Sequence, residues 1–148
     1  MRFALRWIVV LGLLVVGLAA RGEPAREVVQ LTNAFRAERG LAALEISPAL
    51  EAAAEAHGRD MAQRGFFGHA GSDGSSVGAR VKRQGYRFCI VAENIAKGQR
   101  DARAVMRSWI GSKGHLRNLT LPKAREIGVI RQRGDIWVMV LATRMGGC

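Results

Sequence analysis

Two of the three histidines in this chain lie in Gly-rich segments predicted to be irregular, where the backbone has the freedom to aim a side chain. His69 follows Gly68, and His115 follows Gly114. Glu93 is an acid enclosed by small and apolar residues, and a buried carboxylate needs a partner. Two imidazoles and a carboxylate can bind a divalent metal or act as general acid and base. The alternative is that the three are separately hydrogen-bonded residues that order their loops.

The other candidate residues have simpler structural explanations. His57 shares the apolar face of a predicted helix, which favours a core or boundary position over a ligand role. Ser112 lies near His115 but lacks a Gly-x-Ser-x-Gly setting, so we do not expect a nucleophile there. Two aromatic residues, Phe66 and Phe67, are expected to anchor the backbone ahead of His69 in the core. Simple structural roles are also predicted for Asn94 (loop ordering), Asp73-Gly74 (turn), and Trp109 and Trp137 (core).

Helical periodicity dominates the first two-thirds of the chain, and strand patterns dominate its end. Together these patterns predict an α+β fold. The predicted helices cover 25–39, a segment from Ser47-Pro48 to Gly65, about 76–84, and a segment capped by Asp101. Irregular segments are predicted at 68–76 and 111–122, and an extended segment at 86–91. A final hairpin is expected over 126–133 and 136–143, with its turn at 134–135. The helices should cover both faces of a small, mainly antiparallel sheet.

The first 22 residues have the composition of a secretory signal peptide. Arg2 and Arg6 form a basic start, and the run from Trp7 to Ala20 is apolar and uncharged. That run is shorter than the roughly 20 apolar residues of a membrane span. We expect residues 1–22 to be removed on export, with an uncleaved membrane anchor as the alternative. Both place one domain, residues 23–148, outside the cytoplasm, either secreted or periplasmic.

The chain is strongly basic, with a net charge of +11. Without residues 1–22 it keeps 20 basic and 12 acidic residues, a net charge of +8. A basic exported protein meets anionic lipid headgroups and cell-envelope polymers, which are the predicted partners. A merely solvated surface is the alternative. Nucleic acid is the usual partner of a basic domain, but export argues against it here. We expect a monomer.

The two cysteines, Cys89 and Cys148, are an even count in a chain predicted to enter an oxidising compartment. That favours one disulfide between mid-chain and the C-terminus, with two free or buried thiols as the alternative.

Four blocks of sequence together resemble one known family. The chain is similar to the bacterial, extracellular SCP-like members of the CAP superfamily over about residues 28–143. That superfamily also contains the cysteine-rich secretory proteins, antigen 5 and plant pathogenesis-related proteins. The matching blocks are Asn33-Ala34-Phe35-Arg36 with Gly40-Leu41; Met61-Ala62 with Phe66-Phe67-Gly68-His69; Gly85-Tyr86 with Ala92-Glu93-Asn94-Ile95-Ala96; and Trp109, Gly114-His115, Arg117-Asn118-Leu119 with Ile127-Gly128-Val129.

The resemblance implies a three-layer α-β-α sandwich in which His69, Glu93 and His115 converge in an open cleft. In many relatives a second Glu completes a tetrad, and Ser112 occupies that place here. Ala92 also replaces the usual Gly before Glu93. Two histidines and one acid can still bind Zn²⁺ or another divalent cation, with water as a further ligand. No organic cofactor is expected.

These observations support two functional interpretations. The favoured one is a non-enzymatic secreted module that binds a lipid or cell-envelope ligand, with a His/Glu cleft able to hold a divalent cation. The alternative is a metal-dependent, protease-like hydrolase that uses the same cleft. The metalloprotease motif His-Glu-x-x-His is absent from the sequence, which favours binding.

Overall fold

The computed structural model describes residues 12–148, with side chains from residue 23 onward. Its helices and strands follow one another in the order α1 (Gly12–Ala37), β1 (Glu45–Ile46), α2 (Pro48–Arg64), α3 (Val77–Arg83), β2 (Phe88–Lys97), α4 (Ala102–Ile110), α5 (Lys113–Leu119), β3 (Glu126–Gln132) and β4 (Ile136–Arg144). The predicted signal peptide lies outside the residues whose side chains are described and stays a prediction. Among the described residues, no helix has the length and apolarity to cross a membrane.

The strands of the described region form one sheet in the order β1-β3-β4-β2. β1 pairs with β3 in parallel, while β3 with β4 and β4 with β2 are antiparallel. The expectation of a small, mainly antiparallel sheet is therefore confirmed. The final hairpin is confirmed as well. Gly134 and Asp135 in its turn both have positive φ angles, of 76° and 53°.

Helices cover both faces of this sheet, which confirms the α-β-α sandwich. Alternate residues of β4 point to opposite faces, as strand geometry requires. Trp137 and Met139 join a core with Val28 of α1 and Trp109 of α4. The neighbouring Val138 belongs to the second core, on the side of α2 and α3. β4 is buried on both faces because each has its own helical layer.

Local signals in the sequence predict the ends of α2 and α4 well. Pro48 starts α2, and Gly65 ends it with a left-handed φ of 69°. Asp101 caps α4, because its side chain accepts a hydrogen bond from the backbone of Ala104 at 2.7 Å. The segment around His69 is irregular and α3 follows it, both as predicted.

Three predicted elements differ from the structure. α1 begins well before residue 25. β2 continues to Lys97, so Glu93 lies on a strand and not beyond one. The segment 111–122, predicted to be irregular, contains α5. Tertiary contacts explain this short helix despite its glycine, because Leu119 is fully buried and the Asn118 amide donates to the backbone of β2.

Candidate functional site

His69 and Glu93 are brought into direct contact. Nδ1 of His69, in the loop between α2 and α3, lies 2.8 Å from Oε1 of Glu93 on β2. The His69 side chain is 60% exposed, while that of Glu93 is 2% exposed. A carboxylate only accepts hydrogen bonds, so a neutral His69 carries its proton on Nδ1. Its Nε2 then has a free lone pair on the exposed side of the pair.

Arg80 of α3 is the second partner of Glu93. Its guanidinium donates to Oε2 of Glu93 at 2.8 Å and to the backbone oxygen of Ser75 at 2.7 Å. Arg80 is buried, so the ion pair is screened little by solvent. The sequence required some partner for Glu93 but did not identify this one. The sequence signal that could have identified Arg80 as buried was its position on the inner face of α3, between Val77 and Val81.

His57 of α2 lies beneath the same carboxylate and is fully buried, as predicted for a core histidine. Its Nε2 is 2.8 Å from the backbone oxygen of Gly68 and 3.9 Å from Oε1 of Glu93. Burial lowers the pKa of His57, and this outweighs the opposing effect of the Glu93 carboxylate. The neutral ring donates from Nε2 to Gly68, so it holds the residue that precedes His69.

His115 is half-buried on α5, and its ring centroid lies 6.5 Å from that of Trp109. Nδ1 of His115 is buried without a hydrogen-bond partner. Burial, together with the nearby His69, lowers the pKa of His115. No hydrogen bond joins His115 to Glu93 or His69 within residues 23–148. The convergence of all three residues in one site therefore stays a prediction.

Two asparagines tie α5 to β2 at the position of Glu93. Asn94 donates from its side-chain amide to the backbone oxygen of His115 at 3.2 Å. Asn118 donates to the backbone oxygen of Glu93 at 3.1 Å and to the side-chain oxygen of Asn94 at 2.8 Å. Asn94 was expected to order a loop, but it orders a strand and a helix.

The two aromatic residues ahead of His69 differ in burial. Phe66 is half-buried against the core, whereas Phe67 is 46% exposed, so the expectation that both rings anchor the core is wrong for Phe67. Only one of the two adjacent rings therefore packs inward. A polar pocket of about 290 Å³ is lined in part by His57 and Arg80, which lie near Glu93, and by Asp60.

Glu93 has no free oxygen for a cation in this arrangement, which leaves the imidazoles of His69 and His115 as the candidate ligands. Both oxygens of Glu93 already accept hydrogen bonds, from His69 and Arg80. Across the part of the chain with described side chains, no group of three His, Cys, Asp or Glu residues is arranged to hold a metal. Glu93 is instead placed to orient a histidine, as carboxylates around metal-binding histidines commonly do.

The predicted disulfide between Cys89 and Cys148 is present, with its Cα atoms 6.4 Å apart. It joins the start of β2 to the C-terminal residue, at the edge of the sheet.

The sequence matches known proteins over most of its length. Residues 29–141 match the model of the cysteine-rich secretory protein (CAP) family. The Bacillus subtilis (strain 168) protein YkwD is 36% identical over 113 residues, which are 76% of this chain and 44% of YkwD. The membrane protein YlbC of the same strain is 30% identical over 104 residues, 70% of this chain and 30% of YlbC. The chain thus spans less than half the length of these relatives.

Solved structures share the fold at lower sequence identity. An extracellular SCP-domain protein from Bacillus anthracis has a TM-score of 0.80 and 24% identity, over 84% of this chain and 41% of its own. An outer surface protein from Borrelia burgdorferi has a TM-score of 0.78 and 22% identity, over 83% of this chain and 94% of its own. These similarities and the match over residues 29–141 agree with the sandwich described above. The chain belongs to the cysteine-rich secretory protein (CAP) family.

Proposed function

We propose that this chain is an exported binding module for an anionic lipid or cell-envelope ligand, and that its cleft holds a divalent cation through His69 and His115. The observation that carries the proposal is the contact between His69 and Glu93. It fixes the proton of a neutral His69 on Nδ1 and leaves Nε2 available as a ligand atom.

Location and charge support an anionic ligand. The fold is shared with proteins described as extracellular or as outer surface proteins. The chain without residues 1–22 carries a net charge of +8. Such a charge draws the protein toward anionic headgroups and polymers outside the cell.

The chain's own residues would do three things around a bound cation. His69 and His115 would supply the nitrogen ligands. Glu93 would hold the ring of His69 in one tautomer and orientation. Asn94 and Asn118 would keep α5, and with it His115, at a fixed distance from β2. The cation would supply positive charge and open coordination positions for an anionic ligand.

Zinc titration by calorimetry into the exported protein tests the cleft. The wild type should bind one ion. His69→Ala and His115→Ala should each lose most of the zinc affinity, because the proposed site has only two protein ligands. Lys113→Ala is the matched control, since this exposed residue lies on the same helix as His115. Affinity should fall as the pH drops through roughly 6.5, because a protonated imidazole cannot bind metal.

Two results would overturn the cleft proposal. One is a wild type that binds no zinc at millimolar concentrations. The other is zinc affinity that persists in a His69→Ala/His115→Ala double variant, which would move the metal site elsewhere.

One observation also favours a hydrolytic function. An exposed histidine whose Nδ1 is held by a buried carboxylate has the arrangement of a general base. Assays with ester and peptide substrates, with and without zinc, separate the two functions. Turnover that disappears in His69→Ala would establish the hydrolase, and ligand binding without turnover would establish the binding module.

A further inference from the structure

We propose that residues 97–125, which contain α4 and α5, form a docking surface for an extended anionic polymer of the cell envelope. These residues are called the basic segment below. The polymer would carry phosphate or carboxylate groups along its length. The class of ligand rests on the proposed function, because it requires an anionic partner outside the cell. The surface itself does not, because it needs no cation at His69 or His115.

Nearly all of the net charge of the exported chain lies in the basic segment. Residues 97–125 contain eight Lys or Arg and one acid, Asp101, which gives a net charge of +7. The rest of residues 23–148 contains 12 basic and 11 acidic residues and is nearly neutral. The charge is therefore concentrated in 29 residues and not spread over the chain. A surface lined by charges of one sign attracts ligands of the opposite sign.

The cations of the basic segment are exposed, and the protein itself neutralises few of them. All eight belong to exposed residues. Within residues 23–148, only Arg103 of the eight pairs with an acid, Glu27 at 3.7 Å, and both of these side chains are exposed. Asp101 is already occupied, since it accepts the hydrogen bond from Ala104 that caps α4. Seven positive charges thus have no acidic partner in this part of the chain.

The packing of α4 and α5 places these cations on one side of the sandwich. The buried side chains of the two helices, among them Trp109 and Leu119, belong to the core shared with α1. α2 and α3 pack against the other core, across the sheet. Because their apolar side chains are turned toward the sheet, α4 and α5 present their charged residues to solvent on the side of α1.

The composition of this surface fits a hydrated polymer better than a lipid bilayer. Protein surfaces that enter a bilayer combine cations with exposed apolar side chains. Of the described side chains, the exposed large apolar ones are those of Ile46, Phe67 and Met145, and none of these lies in the basic segment. Met106 and Ile110 of α4 are recessed in the groove between α1 and α4. A polymer can instead contact several spaced cations at once and release its counterions.

The triple variant Arg100→Gln/Arg107→Gln/Arg117→Gln tests the surface. Its binding to labelled long-chain polyphosphate and to labelled polyglutamate is measured by fluorescence anisotropy, with EDTA present to keep the cleft free of metal. At physiological salt the variant should bind about tenfold more weakly or worse, because three contacts and their released counterions are lost. For the same reason its affinity should depend less steeply on salt. The polymer that the wild type binds more tightly identifies the anionic group as phosphate or carboxylate.

The matched control is Arg59→Gln/Arg87→Gln/Arg133→Gln. It removes the same charge from three exposed residues that lie outside the basic segment. Its affinity for either polymer should change less than about threefold, because screening by salt weakens the effect of distant charges. Urea unfolding checks that both variants are folded.

Four results would overturn the inference. They are equal losses in the two triple variants, absence of polymer binding by the wild type, polymer binding that requires zinc, and tighter binding to phosphatidylglycerol vesicles at equal total anionic charge. The third would assign the polymer to the cleft, and the fourth would make a membrane the partner. Polymer binding in EDTA by a protein that takes up no zinc would support the basic segment and overturn the cation proposed for the cleft.

Discussion

Nδ1 of His69 lies 2.8 Å from Oε1 of Glu93, so a single hydrogen bond joins an exposed imidazole to a carboxylate in the protein interior. The carboxylate is held from behind by Arg80, and the loop that carries His69 is held by His57 through Gly68. The surface therefore presents a histidine whose orientation is determined by buried groups. Such support is what a precise binding or catalytic site requires.

The first prediction concerns Glu93→Gln. An amide has one acceptor oxygen and no charge, so it cannot accept from both His69 and Arg80, and the buried guanidinium loses its charged partner. We expect a loss of roughly 3–5 kcal/mol in the free energy of unfolding, typical of a broken buried ion pair. Zinc affinity should fall about 10–100-fold, because the orientation of His69 is lost. Urea unfolding and calorimetry measure the two effects.

Glu38→Gln is the control for Glu93→Gln. The Glu38 side chain is 73% exposed, so both quantities should stay close to the wild type. A Glu93→Gln protein as stable as the wild type would contradict the assigned role of the Arg80–Glu93 pair.

The sequence predicted best what local chemistry determines. Pro48 and Gly65 bound α2 because proline suits a first helical turn and glycine suits a left-handed C-cap. The sequence was a poor predictor of elements that depend on contacts between distant residues. β2 is paired along its whole length by β4, which extends it through Glu93. α5 exists through its buried Leu119 and the Asn118 bonds to β2, and no local pattern shows either.

The candidate site shows the same division between features that the local sequence indicates and features that only the packed fold determines. His69, Glu93 and His115 were identified because histidines in Gly-rich irregular segments and an enclosed acid are visible along the chain. Arg80 was missed because its position beside Val77 and Val81 indicates burial but does not identify its partner thirteen residues away. Which acid a buried arginine pairs with is a property of the packed fold and not of its neighbours in sequence.

The second prediction concerns the close packing of α2 on β3. A Cβ atom on Gly128 would overlap the backbone of Leu50 and Glu51. Gly128→Ala should therefore lower the free energy of unfolding by about 1–3 kcal/mol, as overpacking does. Gly114→Ala is the control, because a Cβ there meets nothing within 4 Å. It lies within α5 and should stabilise by up to about 1 kcal/mol. Equal effects of the two substitutions in urea unfolding would count against the packing.

The third prediction concerns the disulfide. Cys89 and Cys148 are separated by 59 residues, and closing a loop of that length stabilises a fold by roughly 4 kcal/mol in the chain-entropy model. The exported Cys89→Ser/Cys148→Ser variant should lose about that much in urea unfolding. Intact mass before and after reduction checks the bond itself. Two alkylatable thiols in unreduced, exported protein would refute the pairing.

The fourth prediction concerns the basic surface. If charge drives the binding of a lipid surface, affinity for phosphatidylglycerol vesicles should weaken steadily as salt rises through the physiological range. Phosphatidylcholine vesicles are the control and should bind little at any salt concentration. Affinity that does not change with salt would instead indicate an apolar groove, and an absence of binding would reduce the charge to a solvated surface.

The fifth prediction concerns pH and His57. The charged groups that face this ring are Glu93, Arg80 and Asp60, and burial is the largest of the effects that lower the pKa of His57. In the unfolded chain its pKa returns to about 6.5. Between the two values the unfolded chain binds the extra proton, so acid favours unfolding. The contribution of His57 to stability is therefore complete above about pH 6.5 and is lost progressively below it.

His57→Gln isolates that contribution. Glutamine can still donate to the backbone oxygen of Gly68, but it does not titrate. Urea unfolding between pH 5 and pH 8 should show the wild type losing stability on acidification more steeply than the variant. The half-buried His115 contributes an acid loss of the same sign in both proteins, so only the difference between the two slopes reports on His57. Parallel curves would mean that His57 titrates alike in the folded and unfolded chains, contrary to its burial beside Arg80 and Glu93.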